Sequence, residues 1–126
     1  MKKIIKSENG PKPIGPYSHA VQAGNILFTS GMVGIDPKTN ELVAGDIKAE
    51  TRQAMLNLKS ILETAGASMS NIVKATIFLK DLNNFTAMNE VYGSFFESGF
   101  PARETVQAVR LPKDANIEIS VIAVLS

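Results

Sequence analysis

Between Ile47 and Ala65 the buried-type positions recur every three or four residues: Ile47, Thr51, Ala54, Met55, Leu58, Ile61, Leu62 and Ala65 fall on one face. That spacing predicts an amphipathic α-helix. Asp46 is placed to cap its start and Gly66 to end it. A second helix is predicted from about Asn84, with Phe85, Met88, Tyr92, Phe95 and Phe96 sharing a face and Gly99 as the stop. Elsewhere the apolar runs shorten to strand length. Ala20–Ala23 and Ile26–Ser30 flank Gly24-Asn25 and read as a β-hairpin, and Pro37–Asn40 reads as a further turn. Residues 71–80, rich in Ile, Val and Thr, and residues 103–110 and 117–125 predict three more strands.

The predicted order is several strands, a helix, a strand, a helix and two strands. It implies an α+β fold, a mixed sheet with both helices packed on one face. In the final strand Ile117, Ile119, Val121, Ala123 and Leu125 point one way, and Glu118, Ser120, Ile122 and Val124 the other. Both faces are largely apolar. One meets the helices, and the other needs a cover that self-association would supply. If the last two strands form a hairpin around residues 112–114, Glu118 faces Gln107 with Thr105 diagonal to it. Arg103 is then ~13 Å further along.

Composition narrows the chemistry. At ~100–200 residues per domain, 126 residues predict one domain, 1–126. Thirteen Lys+Arg against twelve Asp+Glu give a net charge of +1. That balance argues against a nucleic-acid or membrane partner. There is no Cys, and His19 is the single His, so thiol nucleophiles, thiolate metal sites and a two-His acid/base pair are excluded within one chain. No metal site and no cofactor are expected. Lys2-Lys3-Ile4-Ile5 is followed at once by the polar residues 6–9, which leaves no room for the apolar run of a secretory leader. No stretch approaches the ~20 apolar residues of a membrane span. The expected compartment is the cytoplasm. Phosphate-loop, dinucleotide, zinc and nucleophile-elbow motifs are absent.

A few residues could carry chemistry. Glu118 is either a strand-end carboxylate in solvent or one at the rim of an apolar cleft, where burial raises its pKa. Arg103 follows Phe100-Pro101-Ala102. It either pairs with Glu97 or Glu104 at the surface or offers its planar fork to a ligand carboxylate. Residues 10–16 hold three prolines and cannot be helical. Tyr17 at the end of this loop is either core or the lid of a small cavity. Gly31, after Ser30, would let backbone N–H groups approach a ligand. His19 reads as a surface residue or a satisfied structural one.

Ile14-Gly15-Pro16-Tyr17-Ser18, Thr29-Ser30-Gly31, Asn89-Glu90-Val91-Tyr92, Phe100-Pro101-Ala102-Arg103 and residues 111–119 (LPKDANIEI) occur in that order. As a set they closely resemble the RidA (YjgF) family of reactive intermediate deaminases, over essentially the whole chain. The resemblance implies a chorismate-mutase-like fold and a homotrimer with ligand clefts between subunits. It implies hydrolysis of 2-imino acids, released by pyridoxal-phosphate enzymes acting on Ser or Thr, to 2-keto acids and ammonia, with no cofactor of the protein's own. Carried over by position, Arg103 would anchor the substrate carboxylate and Glu118 would hold or activate water. Tyr17, Ser30, Gly31 and Asn89 would line the cleft or support its walls. Thr105 stands where many relatives have Cys, which keeps a hydroxyl and loses the thiol. Glu104 replaces a common small residue and Gln107 a common Glu. Other readings open at this point are a 2-keto-acid-binding sensor or chaperone-like protein, and the ribonuclease or translation-inhibitor activity that some relatives are labelled with. The charge balance disfavours the last.

Overall fold

The computed structural model describes residues 1–126. Its main sheet has six strands: β1 (Lys2–Ile5), β2 (Ala20–Ala23), β3 (Ile26–Thr29), β6 (Ile72–Leu79), β7 (Ala102–Gln107) and β8 (Ile117–Val124). They lie in the order β1-β2-β3-β8-β6-β7. Two short strands, β4 (Ile35–Asp36) and β5 (Glu41–Leu42), pair across the predicted turn at residues 37–40. The helices are α1 (Ile47–Thr64) and α2 (Phe85–Gly93).

The predicted caps act as expected on α1. The Asp46 carboxylate accepts from the Ala49 N–H at 3.1 Å. Gly66 takes φ +81° just beyond the last turn, a conformation that side-chain-bearing residues rarely adopt. Ala54, Met55, Leu58, Ile61 and Leu62 are fully buried against Ile77, Leu79, Ile117 and Ile119 of the sheet. Met88 and Tyr92 of α2 join the same cluster, so both helices cover one face.

The α2 prediction needs correcting. The helix ends at Gly93, and Ser94 follows as its cap, so Gly99 is not its stop. Phe95 and Phe96 lie beyond the helix, where their rings still pack against the core. Apolar spacing continues past the last turn because those rings are needed in the core, not because the backbone remains helical. The hydrophobic pattern does not predict β1. It pairs antiparallel with β2, and only its last residue, Ile5, is buried.

The hairpin register expected for the last two strands is also wrong. β7 runs parallel to β6 on the sheet edge, reached through α2, and β8 lies on the other side of β6. The chain crosses the end of β6, where the Lys80 N–H donates to the Asn116 carbonyl at 3.0 Å. β8 thus fills the gap between β3 and β6, antiparallel to both. Parallel neighbours require a crossover, and the intervening helix supplies it.

This topology fixes which way the candidate residues point. Directly paired residues share a face. Arg103 pairs with Ala75, Thr105 with Ile77, and Ala75 with Val121. All of these face the helices. Glu118 pairs with Phe78, and Phe78 with Val106, on the other face. That second face carries Ile26 and Phe28 opposite Val124 and Ile122. Phe78 packs against a small cluster of Val33, Ile35, Leu111 and Ala115, but Phe28 is 44% and Val106 46% exposed, so the rest of this apolar surface lacks full cover within the chain.

Candidate functional site

Glu118 and Arg103 line separate clefts. The first cleft, of about 320 Å³, is bounded by Ile14 and Tyr17 of the proline-rich loop, Ser30 and Gly31 after β3, Pro112 and Lys113, and Glu118. The loop is held in place by His19. The Ser7 N–H donates to His19 Nδ1 at 3.0 Å, and the other ring nitrogen bonds the Pro11 carbonyl. His19 is buried and both nitrogens are engaged, so it is the satisfied structural residue. The Ser30 hydroxyl donates to the Ser18 carbonyl at 2.6 Å, which ties the loop to the end of β3 and makes Ser30 a wall support. Tyr17 is not core. It is 45% exposed at the cleft edge, and its hydroxyl accepts from the Ile14 N–H at 3.3 Å.

Gly31 is where the fit is tightest. A Cβ there would lie 2.6 Å from the Glu118 carboxyl carbon, far inside contact distance. The carboxylate therefore sits directly on the Gly31 backbone. Burial raises the Glu118 carboxyl above its usual value. A partly desolvated carboxylate of this kind is suited to exchange protons with a bound water. Because the clash involves the end of a flexible side chain, Gly31→Ala is expected to fold normally but displace the carboxylate. Its kcat should fall by about tenfold or more while its Tm stays within a few degrees of wild type, as read by steady-state assay and thermal unfolding.

The second cleft lies by the helix-covered face and is lined by Asn89, Tyr92, Gly93, Phe100, Pro101 and Arg103. Arg103 forms no ion pair within the chain, and Glu104, one possible partner, is 2.7 Å from Lys74 instead. Two cleft residues hold a buried polar atom without a partner, Asn89 Oδ1 and Tyr92 OH, and a third such atom, Thr105 Oγ1, lies two residues beyond Arg103 on the same face of β7. Buried polar groups are normally satisfied. Three unpaired ones on the side of the sheet that carries a free guanidinium fit a surface built to receive polar atoms from outside the chain.

Arg103 and Glu118 are therefore not brought together within one chain. They are two strand spacings apart across the sheet and about three residues apart along it, roughly 14 Å, on opposite faces.

A family model described as Endoribonuclease L-PSP matches residues 7–125. The chain belongs to this family, the YjgF family. A RutC family protein from Pyrococcus horikoshii is 56% identical over 123 residues, covering 98% of each chain. A protein from Escherichia coli K12 named 2-iminobutanoate/2-iminopropanoate deaminase is 48% identical over 127 residues, again covering 98% of each. The solved structure of the YjgF gene product from Escherichia coli superposes with a TM-score of 0.93 at 48% identity, covering 97% of this chain and 98% of that one. The α+β architecture is that of YjgF structures.

Sequence reasoning missed two features of this YjgF-family chain. Glu50, on the buried side of α1, accepts from the Asn116 backbone N–H at 3.0 Å and from its side-chain amide. It thereby fixes the loop that leads into Glu118. A charged residue between Ile47 and Ala54 on the core face was the available signal. Lys113 and Asp114 in that loop take φ +60° and +55°, unusual for residues other than Gly. Such backbone is held by its surroundings, and it tends to occur at functional sites. No helix is long and apolar enough to cross a membrane.

Proposed function

We propose that the protein is an imine deaminase whose sites form between copies of the chain. Each site would combine the Glu118 cleft of one copy with the Arg103 cleft of the next. The observation that carries this reading is the separation of the two residues on opposite sheet faces, each in its own cleft. A substrate the size of 2-iminobutanoate cannot reach both in one chain. The uncovered apolar sheet face, which bears Ile26, Phe28, Ile122 and Val124, gives the copies a reason to associate. A homotrimer of this kind has three equivalent clefts.

In the proposed site the Arg103 guanidinium binds the carboxylate of a 2-imino acid through its planar fork, which fixes C2. Glu118 accepts a proton from water as the oxygen adds to C2. The C=N bond becomes single, giving a carbinolamine. Glu118 returns that proton to nitrogen and then relays the hydroxyl proton to nitrogen as the C=O bond forms, so the C–N bond breaks and ammonia leaves with a 2-keto acid as the other product. One water is consumed and no electrons are transferred. The substrate is already electrophilic, so a modest acceleration is sufficient and no metal or cofactor is called for.

The family description names an endoribonuclease, but the residues support that reading poorly. The single His is buried with both ring nitrogens occupied, and the net charge is +1. Phosphate tracking calls for clustered cations.

The test is turnover by chelator-treated, cofactor-free protein. Ammonia release from 2-iminobutanoate or 2-iminopropanoate, made in situ by an amino-acid oxidase, should accelerate with enzyme concentration. Light scattering at micromolar concentration should give three chain masses. Absence of turnover, or activity that returns only with an added divalent ion, contradicts the proposal.

A further inference from the structure

The guanidinium of Arg103 sits against two rings of one helix. Its central carbon is 5.5 Å from the Phe85 ring centroid and 5.0 Å from that of Tyr92. Phe85 and Tyr92 are seven residues apart in α2, so they share a stripe ~10.5 Å long at 1.5 Å rise per residue. The guanidinium is within cation–π reach of both rings of that stripe. Ring faces attract a guanidinium without using its N–H donors. No carboxylate of the chain pairs with those donors.

Phe85 is the telling residue. It is 40% exposed and lies outside the main core cluster. Core packing does not call for an aromatic ring at the first position of α2, whereas contact with Arg103 does. Tyr92 is buried, and its hydroxyl has no partner. Burial raises that hydroxyl above its usual value, with the Arg103 charge opposing, so it keeps a proton to donate.

We propose that Phe85 and Tyr92 are positioning residues that clamp the Arg103 guanidinium between them and present its free N–H edge to an incoming carboxylate. An unclamped arginine would have to lose rotamer freedom on each binding event. The rings therefore set ligand affinity and leave the proton-transfer step untouched. This inference rests on the carboxylate-anchor role proposed for Arg103, and the experiment separates the two.

The probe is 2-oxobutanoate, titrated calorimetrically into wild type, Phe85→Leu and Phe85→Tyr. Phe85→Leu should weaken binding about 3- to 10-fold, and Phe85→Tyr, which keeps a ring, should bind like wild type. The KM for imine should follow the same ratio, with kcat within about twofold. A second readout needs no ligand. The Arg103 Nε–H proton resonance, assigned by its absence in Arg103→Lys, should be displaced by the ring currents in wild type and Phe85→Tyr and return toward the free-arginine position in Phe85→Leu. Wild-type affinity in Phe85→Leu, an equal loss in both variants, or a loss confined to kcat overturns the clamp. Wild type that binds 2-oxobutanoate without turning over imine removes the deaminase reading and leaves the clamp to be decided by these affinities. Wild type that binds no 2-oxo acid overturns both.

Discussion

Replacing Glu118 by Gln is expected to lower kcat for imine hydrolysis by about 10²–10⁴-fold, the range of a positioned acid/base group, with KM changed only a few-fold. Gln fills the same space against Gly31 but cannot take a proton from water. The variant should still assemble. Its Tm at pH 7 should equal or exceed that of wild type, for a reason that follows from the direction of the shift. Burial raises the folded-state value of the Glu118 carboxyl. Folding therefore favours its protonated form, and whatever stability this linkage contributes is present at low pH and lost as pH rises through the raised value. At pH 7 the ionised carboxylate opposes folding, and Gln removes that opposition. The pH profile supplies a further check. Wild-type kcat/KM should fall as pH drops through the raised value, an acid limb above that of an ordinary glutamate. In Glu118→Gln that limb should disappear. Wild-type turnover by this variant would assign the proton transfers to another group.

Arg103→Lys is expected to reduce kcat/KM by about 10²-fold, chiefly through KM. Lysine keeps the positive charge but offers a point donor where the guanidinium offers a planar fork. It also cannot spread over the Phe85 and Tyr92 rings in the same way. Two charge-assisted hydrogen bonds to one carboxylate become one with less directional control. Affinity for 2-oxobutanoate should fall in parallel, since the anchor acts on the ground state and the transition state alike. The fold should tolerate the change, because Arg103 makes no ion pair within the chain. A variant with normal KM and reduced kcat would show that Arg103 acts on the reacting centre and not on the carboxylate.

Much of the fold was legible because local rules decide it. The α1 stripe, the Asp46 cap and the Gly66 stop are all local features, and all three hold. So does the Gly24-Asn25 hairpin, whose strands pair from Ala20–Thr29 to Ala23–Ile26. The errors are non-local. Nothing in residues 103–125 states that β8 enters between β3 and β6. That choice is made by the crossovers through α1 and α2, and sequence neighbours are only a weak guide to strand neighbours. The same gap governed the site. The motifs point to Arg103, Glu118, Gly31 and Asn89, which the structure places in two clefts, and the second apolar face of β8 calls for a cover. The placement of Arg103 and Glu118 on opposite faces emerges only from the register through Ala75 and Phe78. Glu50 and Phe85 escaped because each acts through another residue, and a supporting role leaves no motif.

In the proposed site Arg103 of one copy works with Glu118 of another. Two inactive variants, Arg103→Ala and Glu118→Gln, test it when unfolded together at equal concentration, refolded and assayed. Random co-assembly should place an intact Arg103 opposite an intact Glu118 in about a quarter of the clefts of a closed ring, and activity should return toward that fraction of wild type. Each variant treated alone should remain inactive. If the mixed trimers form and stay as inactive as their parents, the two residues serve the same chain and the shared-site account is wrong.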